Sequence, residues 1–180
     1  MSDHSIAIVP KKSVYDNNET KAEEILEWLI SKDIVKPELS DCILSFEKGY
    51  AVSDGAKQIV NFPDYLPFDL LSNGLEIITG KEVFHAGESG MEECICSNCN
   101  ENIAHEEWTF IDEWFMGAGD KSVCPLCNVM FDIHELKMKP QWGFSDLGFK
   151  FWNWPMFKTG FIEEFQDRLK CEVVVVRQHI

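Results

Sequence analysis

Two C-x2-C motifs lie near the middle of this 180-residue chain: Cys96-Ser97-Asn98-Cys99 and Cys124-Pro125-Leu126-Cys127. Residues 100–123 separate them. Thiolates at positions i and i+3 of a tight turn present two ligands from one direction, and two such turns complete a tetrahedron around one zinc ion. We therefore predict that the four cysteines of these motifs hold one metal ion.

The residue that follows each motif supports this interpretation. A turn of this kind commonly needs a left-handed backbone directly after its second cysteine, and glycine adopts that conformation most readily. Both positions are asparagine here, Asn100 and Asn128. Asparagine is the non-glycine residue that best tolerates the left-handed region. The sequence thus predicts two matching turns that share one metal.

The segment from about residue 94 to residue 128 resembles the zinc-ribbon or rubredoxin-like family of metal knuckles. The resemblance covers about a fifth of the chain, and the missing knuckle glycines depart from the family pattern. It implies a structural Zn²⁺ ion, with iron as the less favoured metal, and it implies no particular activity. The ligands that it implies are Cys96, Cys99, Cys124 and Cys127.

Other ligand sets remain open at this point. Cys94 precedes the first motif by two residues and offers an alternative thiolate, and His85 and His105 are further candidates. A redox-active C-x-x-C pair of the thioredoxin type is less favoured, because two matched pairs suit one shared metal. A four-cysteine site has no free coordination position for water, so we expect a structural role rather than Lewis-acid catalysis.

Both ends of the chain have the pattern strand–helix–strand. We predict an α+β fold, a ferredoxin-like split βαβ sandwich with an inserted zinc ribbon. Residues 1–86 and 131–180 would form the α+β domain, and residues 87–130 the insertion. The predicted elements, in chain order, are a strand at 5–10, a helix at 19–31, a strand at 41–46, a hairpin at 75–84, a strand at 146–154, a helix at 159–170 and a strand at 172–177.

Two aromatic segments each allow two interpretations. In the strand at 146–154, alternation places Phe149 and Phe151 on one face and Trp152 and Trp154 on the other. That pattern favours a central strand covered on both sides, whereas an exposed Trp152–Trp154 edge would form a binding patch. The segment Trp108–Phe115 is either a small core of the insertion or a docking surface with aromatic anchors and an acidic rim.

The formal net charge of −15 limits the choice of partners. Ten acidic residues and no Lys or Arg lie between Glu82 and Asp120. Nucleic acids and anionic membranes both require Lys and Arg for binding, so neither is an expected partner, and a basic protein fits better. The chain start lacks a signal-peptide pattern, and Val173–Val176, the longest aliphatic run, is too short to span a bilayer. We expect a cytoplasmic protein.

The favoured function is that of a structural-zinc protein that acts through protein–protein interaction, of immunity or adaptor type. The alternative is an enzyme of unknown reaction, with a cleft between the α+β domain and the zinc module. Cys94 and His85 would be its first candidate residues, although no catalytic residue is assigned. The closing pattern, from Phe151 to the end, resembles that of bacterial proteins and implies no activity.

Overall fold

The computed structural model describes residues 2–180. Within that range the strands and helices are β1 (His4–Pro10), α1 (Asn18–Ser31), β2 (Val35–Ser40), β3 (Gly49–Val52), β4 (Leu75–Ile78), β5 (Glu82–Phe84), β6 (Glu93–Ile95), α2 (Thr109–Phe115), β7 (Lys121–Val123), β8 (Met130–Asp132), β9 (Lys137–Lys139), β10 (Gly143–Ser145), β11 (Gly148–Trp152), α3 (Thr159–Leu169) and β12 (Val173–His179).

The main sheet of the described residues has six strands in the order β12-β1-β11-β4-β3-β2, and all neighbours are antiparallel. The connection from β11 through α3 to β12 crosses over β1, which is a split βαβ unit. The connection from β1 through α1 to β2 crosses over three strands. The predicted mixed class of helices and antiparallel sheet is therefore confirmed.

Two helices cover one face of this sheet because their apolar residues recur at helical spacing. Trp28 of α1 stacks on Phe161 of α3, with ring centroids 5.7 Å apart. Phe149 of β11 meets Phe165 of α3 edge to face at 5.0 Å. Both Phe149 and Phe165 are fully buried, so this aromatic layer is the main core of the molecule.

The other face of the sheet is covered in part by the pair β5–β10. The cysteine region, residues 87–142, packs on this pair through Phe144. Ala7 and Val9 of β1 point to this face and pack with Phe84 of β5. The approach is close at Gly148, where an added Cβ would lie 2.3 Å from Cζ of Phe84. The molecule thus has a layer of helices, a layer formed by the main sheet, and a third layer that consists of β5–β10 and the two C-x2-C motifs.

Two predicted elements are wrong. Residues 41–46 are irregular, and the strand that pairs with β3 is β2 at 35–40 instead. β2 is an edge strand, where Pro37 is tolerated and most side chains can face water. Residues 75–84 do not form a hairpin, because β4 joins the main sheet whereas β5 pairs with β10.

The aromatic strand is central and covered on both faces. Trp152 is 4% exposed and Trp154 is 0% exposed, so the alternative of an exposed tryptophan edge is wrong. Trp154 also departs from simple alternation. β11 ends at Trp152, and the left-handed backbone of Asn153 (φ 62°) turns Trp154 toward Phe151 in the helical-side core.

None of the helices in residues 2–180 combines the length and the apolar character that crossing a bilayer requires.

Candidate metal centre

Each C-x2-C motif forms the tip of a short hairpin. In both tips, the backbone N–H of the first cysteine donates to the carbonyl five residues later, at 3.0 Å. The N–H of the asparagine after the second cysteine donates to the carbonyl of the first cysteine, at 3.0 Å for Asn100 and 2.9 Å for Asn128. The two tips therefore have the same hydrogen-bond pattern, 28 positions apart in the chain.

The predicted left-handed positions are present. Asn100 has φ 58° and Asn128 has φ 60°. This conformation reverses the chain after the second cysteine, so that both sulfur atoms of a motif face the same side. The local sequence alone thus accounts for how each pair of thiols is presented.

The structure brings four sulfur atoms together. The Sγ atoms of Cys96, Cys99, Cys124 and Cys127 all lie within 4.8 Å of one another. The closest pairs join the two motifs: Cys96 to Cys127 at 3.9 Å, and Cys99 to Cys124 at 4.0 Å. A disulfide needs about 2.05 Å, whereas Zn–S bonds of about 2.3 Å in a tetrahedron place sulfurs about 3.8 Å apart. The distances fit a tetrathiolate metal site and no disulfide.

Backbone and side-chain N–H groups point at these sulfurs. The N–H of Asn98 donates to Sγ of Cys96 at 3.4 Å, and its side-chain amide donates to Sγ of Cys127 at 3.5 Å. The backbone N–H of Glu101 lowers the pKa of Cys99, but desolvation and the neighbouring thiols outweigh it and raise that pKa to about 12. The backbone N–H of Cys99 lowers the pKa of Cys96, and that of Val129 lowers the pKa of Cys127 to about 7. Because the thiolate is the form that binds metal, these groups favour ligation.

An apolar shell surrounds the sulfur cluster. Cys96 and Cys124 are completely buried, and Cys99 and Cys127 are partly exposed at the hairpin tips. Such a shell limits access of water to the site. The buried apolar side chains of this shell and its continuation into the third layer include Met91, Ile103, Phe110, Trp114, Phe131, Ile133, Leu136, Met138 and Phe144.

The alternative ligands lie outside the cluster. In residues 2–180 the one group of candidate ligands consists of the four cysteines of the two motifs. Cys94 is buried in the apolar shell, and burial raises the pKa of its thiol to about 12. The ring of His85 lies 5.8 Å from that of Trp142, and partial burial lowers its pKa. His105 is exposed to solvent.

The aromatic segment Trp108–Phe115 serves mainly as a small core. Ile111 and Trp114 are buried, and the ring of Trp114 meets Phe144 of β10 edge to face at 5.4 Å. The segment thereby packs the cysteine region against the rest of the molecule. Trp108 is half-buried and Phe115 is exposed, so these two side chains still reach the surface.

A buried polar cluster that the sequence did not predict joins the cysteine region to β1. The hydroxyl of Ser13 contacts the carboxylate of Asp120, lies 2.8 Å from Nε2 of His134 and accepts from Nε1 of Trp114 at 2.7 Å. A hydroxyl has one donor and two acceptor sites, so these three contacts saturate it. The three contacts join the chain after β1 to α2, to the residue before β7 and to the residues after β8.

Comparison with family models, curated proteins and solved structures gave no significant match for this chain.

Proposed function

We propose that this protein holds one structural Zn²⁺ and acts in the cytoplasm by binding a basic protein partner, as an immunity or adaptor protein. The observation that carries the proposal is a four-sulfur cluster in a part of the chain whose exposed carboxylates, between residues 82 and 120, have no cationic partner within 4.0 Å among residues 2–180. The metal ion would fix the conformation of the segments around the two C-x2-C motifs, and the carboxylates would favour a positively charged partner.

The donor set supports a structural rather than a catalytic ion. Cys96, Cys99, Cys124 and Cys127 would fill all four positions of a tetrahedral ion and leave none for water or substrate. Bound there, the ion would contribute folding free energy to the region around it. An iron ion in the same cage would give a coloured protein, so a colourless preparation supports zinc.

The charge of the cysteine region supports a basic partner. Eight carboxylates between residues 82 and 120 are exposed, and within residues 2–180 none of them lies within 4.0 Å of a cationic group. A tetrathiolate zinc centre would add about two negative charges. Such a field attracts cationic proteins and repels nucleic acids and anionic membranes. The eight residues are Glu88, Glu92, Glu93, Glu101, Glu106, Glu107, Asp112 and Glu113.

We also interpret the fold as an enlarged ferredoxin-like sandwich with an inserted zinc ribbon. Strands β12, β1, β11 and β2 follow the ferredoxin-like order if β4 and β3 are regarded as additions between β11 and β2. Residues 1–86 and 131–180 would form the α+β domain, and residues 87–130 the zinc module.

Metal analysis of the purified protein and two serine variants tests the proposed ligands. We expect one zinc per chain in the wild-type protein and in the matched control Cys94→Ser. Cys124→Ser should lose the metal, because three thiolates and one hydroxyl hold zinc far more weakly than four thiolates. A Cys124→Ser protein that retains one zinc per chain would overturn the ligand set.

Affinity capture from native lysate tests the proposed partner. We expect a stoichiometric basic protein whose retention falls steeply as salt is raised, because screening weakens exposed charge pairs. The absence of any stoichiometric partner, or a partner that is itself acidic, would contradict the proposed function.

A further inference from the structure

Two neighbouring grooves lie on either side of the first turn of α2 and share Glu107 and Thr109. One groove, of about 460 Å³, is lined by the apolar side chains of Trp108, Ile111 and Trp142, with Glu107 and Asp112 at its rim. We call it the tryptophan groove. Its volume lies in the range of ligand-binding clefts.

The second groove, of about 300 Å³, runs between α2 and the second hairpin. Phe110, Val123 and Pro125 contribute its apolar lining, and Glu106 and Glu107 its acidic side. Both grooves therefore combine an apolar surface with carboxylates.

Trp108 is held rigidly in the tryptophan groove. Its Nε1 donates to the carbonyl of Ala104 at 2.7 Å, and its ring meets that of Trp142 edge to face at 5.6 Å. Nε1 of Trp142 in turn donates to the carbonyl of Gly90 at 3.1 Å. Because both indole N–H groups are satisfied inside the protein, the rings offer only carbon and π surface to a ligand.

The rim of the groove is acidic and has room for a cation. Glu107 and Asp112 are exposed, and neither has a cationic neighbour within 4.0 Å among residues 2–180. A guanidinium group stacks on aromatic rings and binds carboxylates through two parallel N–H donors. An ammonium group is a more strongly hydrated point charge and matches this combination less well.

The chain itself contains this arrangement on its helical face. The guanidinium of Arg168 lies 4.4 Å from the ring centroid of Trp28, and Nη2 of Arg168 lies 3.7 Å from the carboxylate of Glu164. Lys32 shares this site, with Nζ 5.8 Å from the same ring centroid and 3.0 Å from the same carboxylate, so the arginine takes the closer position on the ring and the lysine the closer position on the carboxylate. The tryptophan groove presents the same aromatic and acidic groups without the arginine.

We propose that the tryptophan groove binds an arginine side chain of a basic protein partner. This inference rests on the proposed function and narrows the partner to one with an arginine-bearing segment. The half-buried ring of Trp108 supplies the stacking surface, with the buried ring of Trp142 behind it, and Glu107 and Asp112 accept hydrogen bonds from the guanidinium.

Binding of a labelled hexa-arginine peptide to the full-length protein, followed by fluorescence anisotropy at physiological ionic strength, tests the inference. We expect Trp108→Ala to weaken binding about tenfold, as loss of a partly desolvated cation–π contact implies. The double variant Glu107→Gln, Asp112→Asn should weaken it at least as much. A hexa-lysine peptide should bind clearly more weakly than hexa-arginine.

The matched control is Glu163→Gln, Asp167→Asn, which removes the same two charges from exposed positions on α3. This control should leave the affinity for hexa-arginine nearly unchanged. Equal weakening by both double variants would show diffuse electrostatic attraction and overturn the inference, as would unchanged binding by the groove variant. Since Glu107 and Asp112 are exposed, this test holds even if Trp108→Ala fails to fold.

The captured partner separates the two proposals. If the Glu107→Gln, Asp112→Asn protein still captures the stoichiometric basic partner as well as wild type does, the groove assignment fails and the proposed function stands. If no partner is captured but the groove variants specifically lose hexa-arginine, the groove assignment stands and the proposed function fails.

Discussion

At the scale of single residues, the hydroxyl of Ser13 links the end of β1 to the region of the two C-x2-C motifs. Ser13 follows β1, and its three partners are Trp114, Asp120 and His134 from the cysteine region and its continuation. Removal of one partner from a buried hydrogen bond costs about 1–3 kcal/mol. This small junction therefore contributes to holding the third layer against the main sheet.

His134 makes the junction sensitive to acid. Desolvation lowers the pKa of His134, Asp120 and Asp132 raise it in part, and Lys11 lowers it. The unfolded chain then takes up this proton at about pH 6.5, above the pH at which the folded chain does. Stability should fall as pH drops below about 6.5 and continue to fall until the folded-state pKa is passed.

Urea unfolding between about pH 7 and pH 5 checks this expectation. The variant His134→Gln should lose less stability over this range than the wild-type protein, whatever its stability at neutral pH. The exposed control His105→Gln should retain the wild-type pH dependence. Parallel pH profiles for His134→Gln and wild type would show that His134 does not cause the acid sensitivity.

The residues that the sequence could and could not predict differ in how local their contacts are. Asn100 and Asn128 have left-handed backbones, which follow from the preference of asparagine for this position of a tight turn. The contact between Ser13 and His134 joins positions 121 apart in the chain. Nothing in the surrounding sequence distinguishes that serine from others, because only the tertiary fold brings the two together.

At the scale of elements, the two metal hairpins depend on their asparagines. Glycine at position 128 adopts the left-handed backbone without strain, whereas a β-branched residue there is a steric outlier. We expect Asn128→Gly to retain metal affinity and stability, and Asn128→Val to lose about 1–2 kcal/mol of stability. Chelator competition and urea unfolding measure the two quantities.

Ser97→Val is the matched control, because Ser97 lies in the first hairpin tip at an exposed position without a left-handed backbone. It should leave both quantities close to wild type. Equal stability of the valine and glycine variants at position 128 would contradict the role assigned to this turn.

Element prediction failed where pairing partners are distant. β5 has three residues and pairs with β10, which follows the whole cysteine region in the chain. A run from Leu75 to Phe84 with Gly80 near its middle is typical of a hairpin. In the structure, however, β4 pairs with β11 and β5 pairs with β10. β2 was missed because an edge strand with Pro37 lacks the apolar alternation of a buried strand.

At the scale of the whole molecule, two large apolar clusters divide the stabilising contacts. The helical-side cluster consists mainly of β1, β11, α1 and α3 and includes no cysteine of the two motifs. The other surrounds the metal centre and extends to β10. The first should therefore persist when the metal is removed, whereas the second should lose its organisation.

Hydrogen exchange with and without a zinc chelator measures this division. We expect amide protection to fall over residues 94–132, while β1, β11 and α3 retain theirs. Chelator should cause no further change in Cys124→Ser, which serves as the control. A uniform loss of protection along the chain would show instead that the molecule unfolds as one unit.

The inner pair Cys99–Cys124 lies between Cys96 and Cys127 along the chain, and this order affects the conformational entropy of the unfolded chain. One ion bound by Cys99 and Cys124 would close residues 100–123 into a loop, and Cys96 and Cys127 would hold the same ion from just outside that loop. By the relation used for disulfide loops, such closure lowers the conformational entropy of the unfolded chain and stabilises the folded state by about 3.5 kcal/mol. α2 has seven residues, which is too short for a helix to be stable in water without tertiary contacts. Because Glu107, Trp108 and Asp112 lie inside the loop, a bound ion would reduce the disorder of the tryptophan groove before the proposed partner binds, and the entropy cost of association would be smaller.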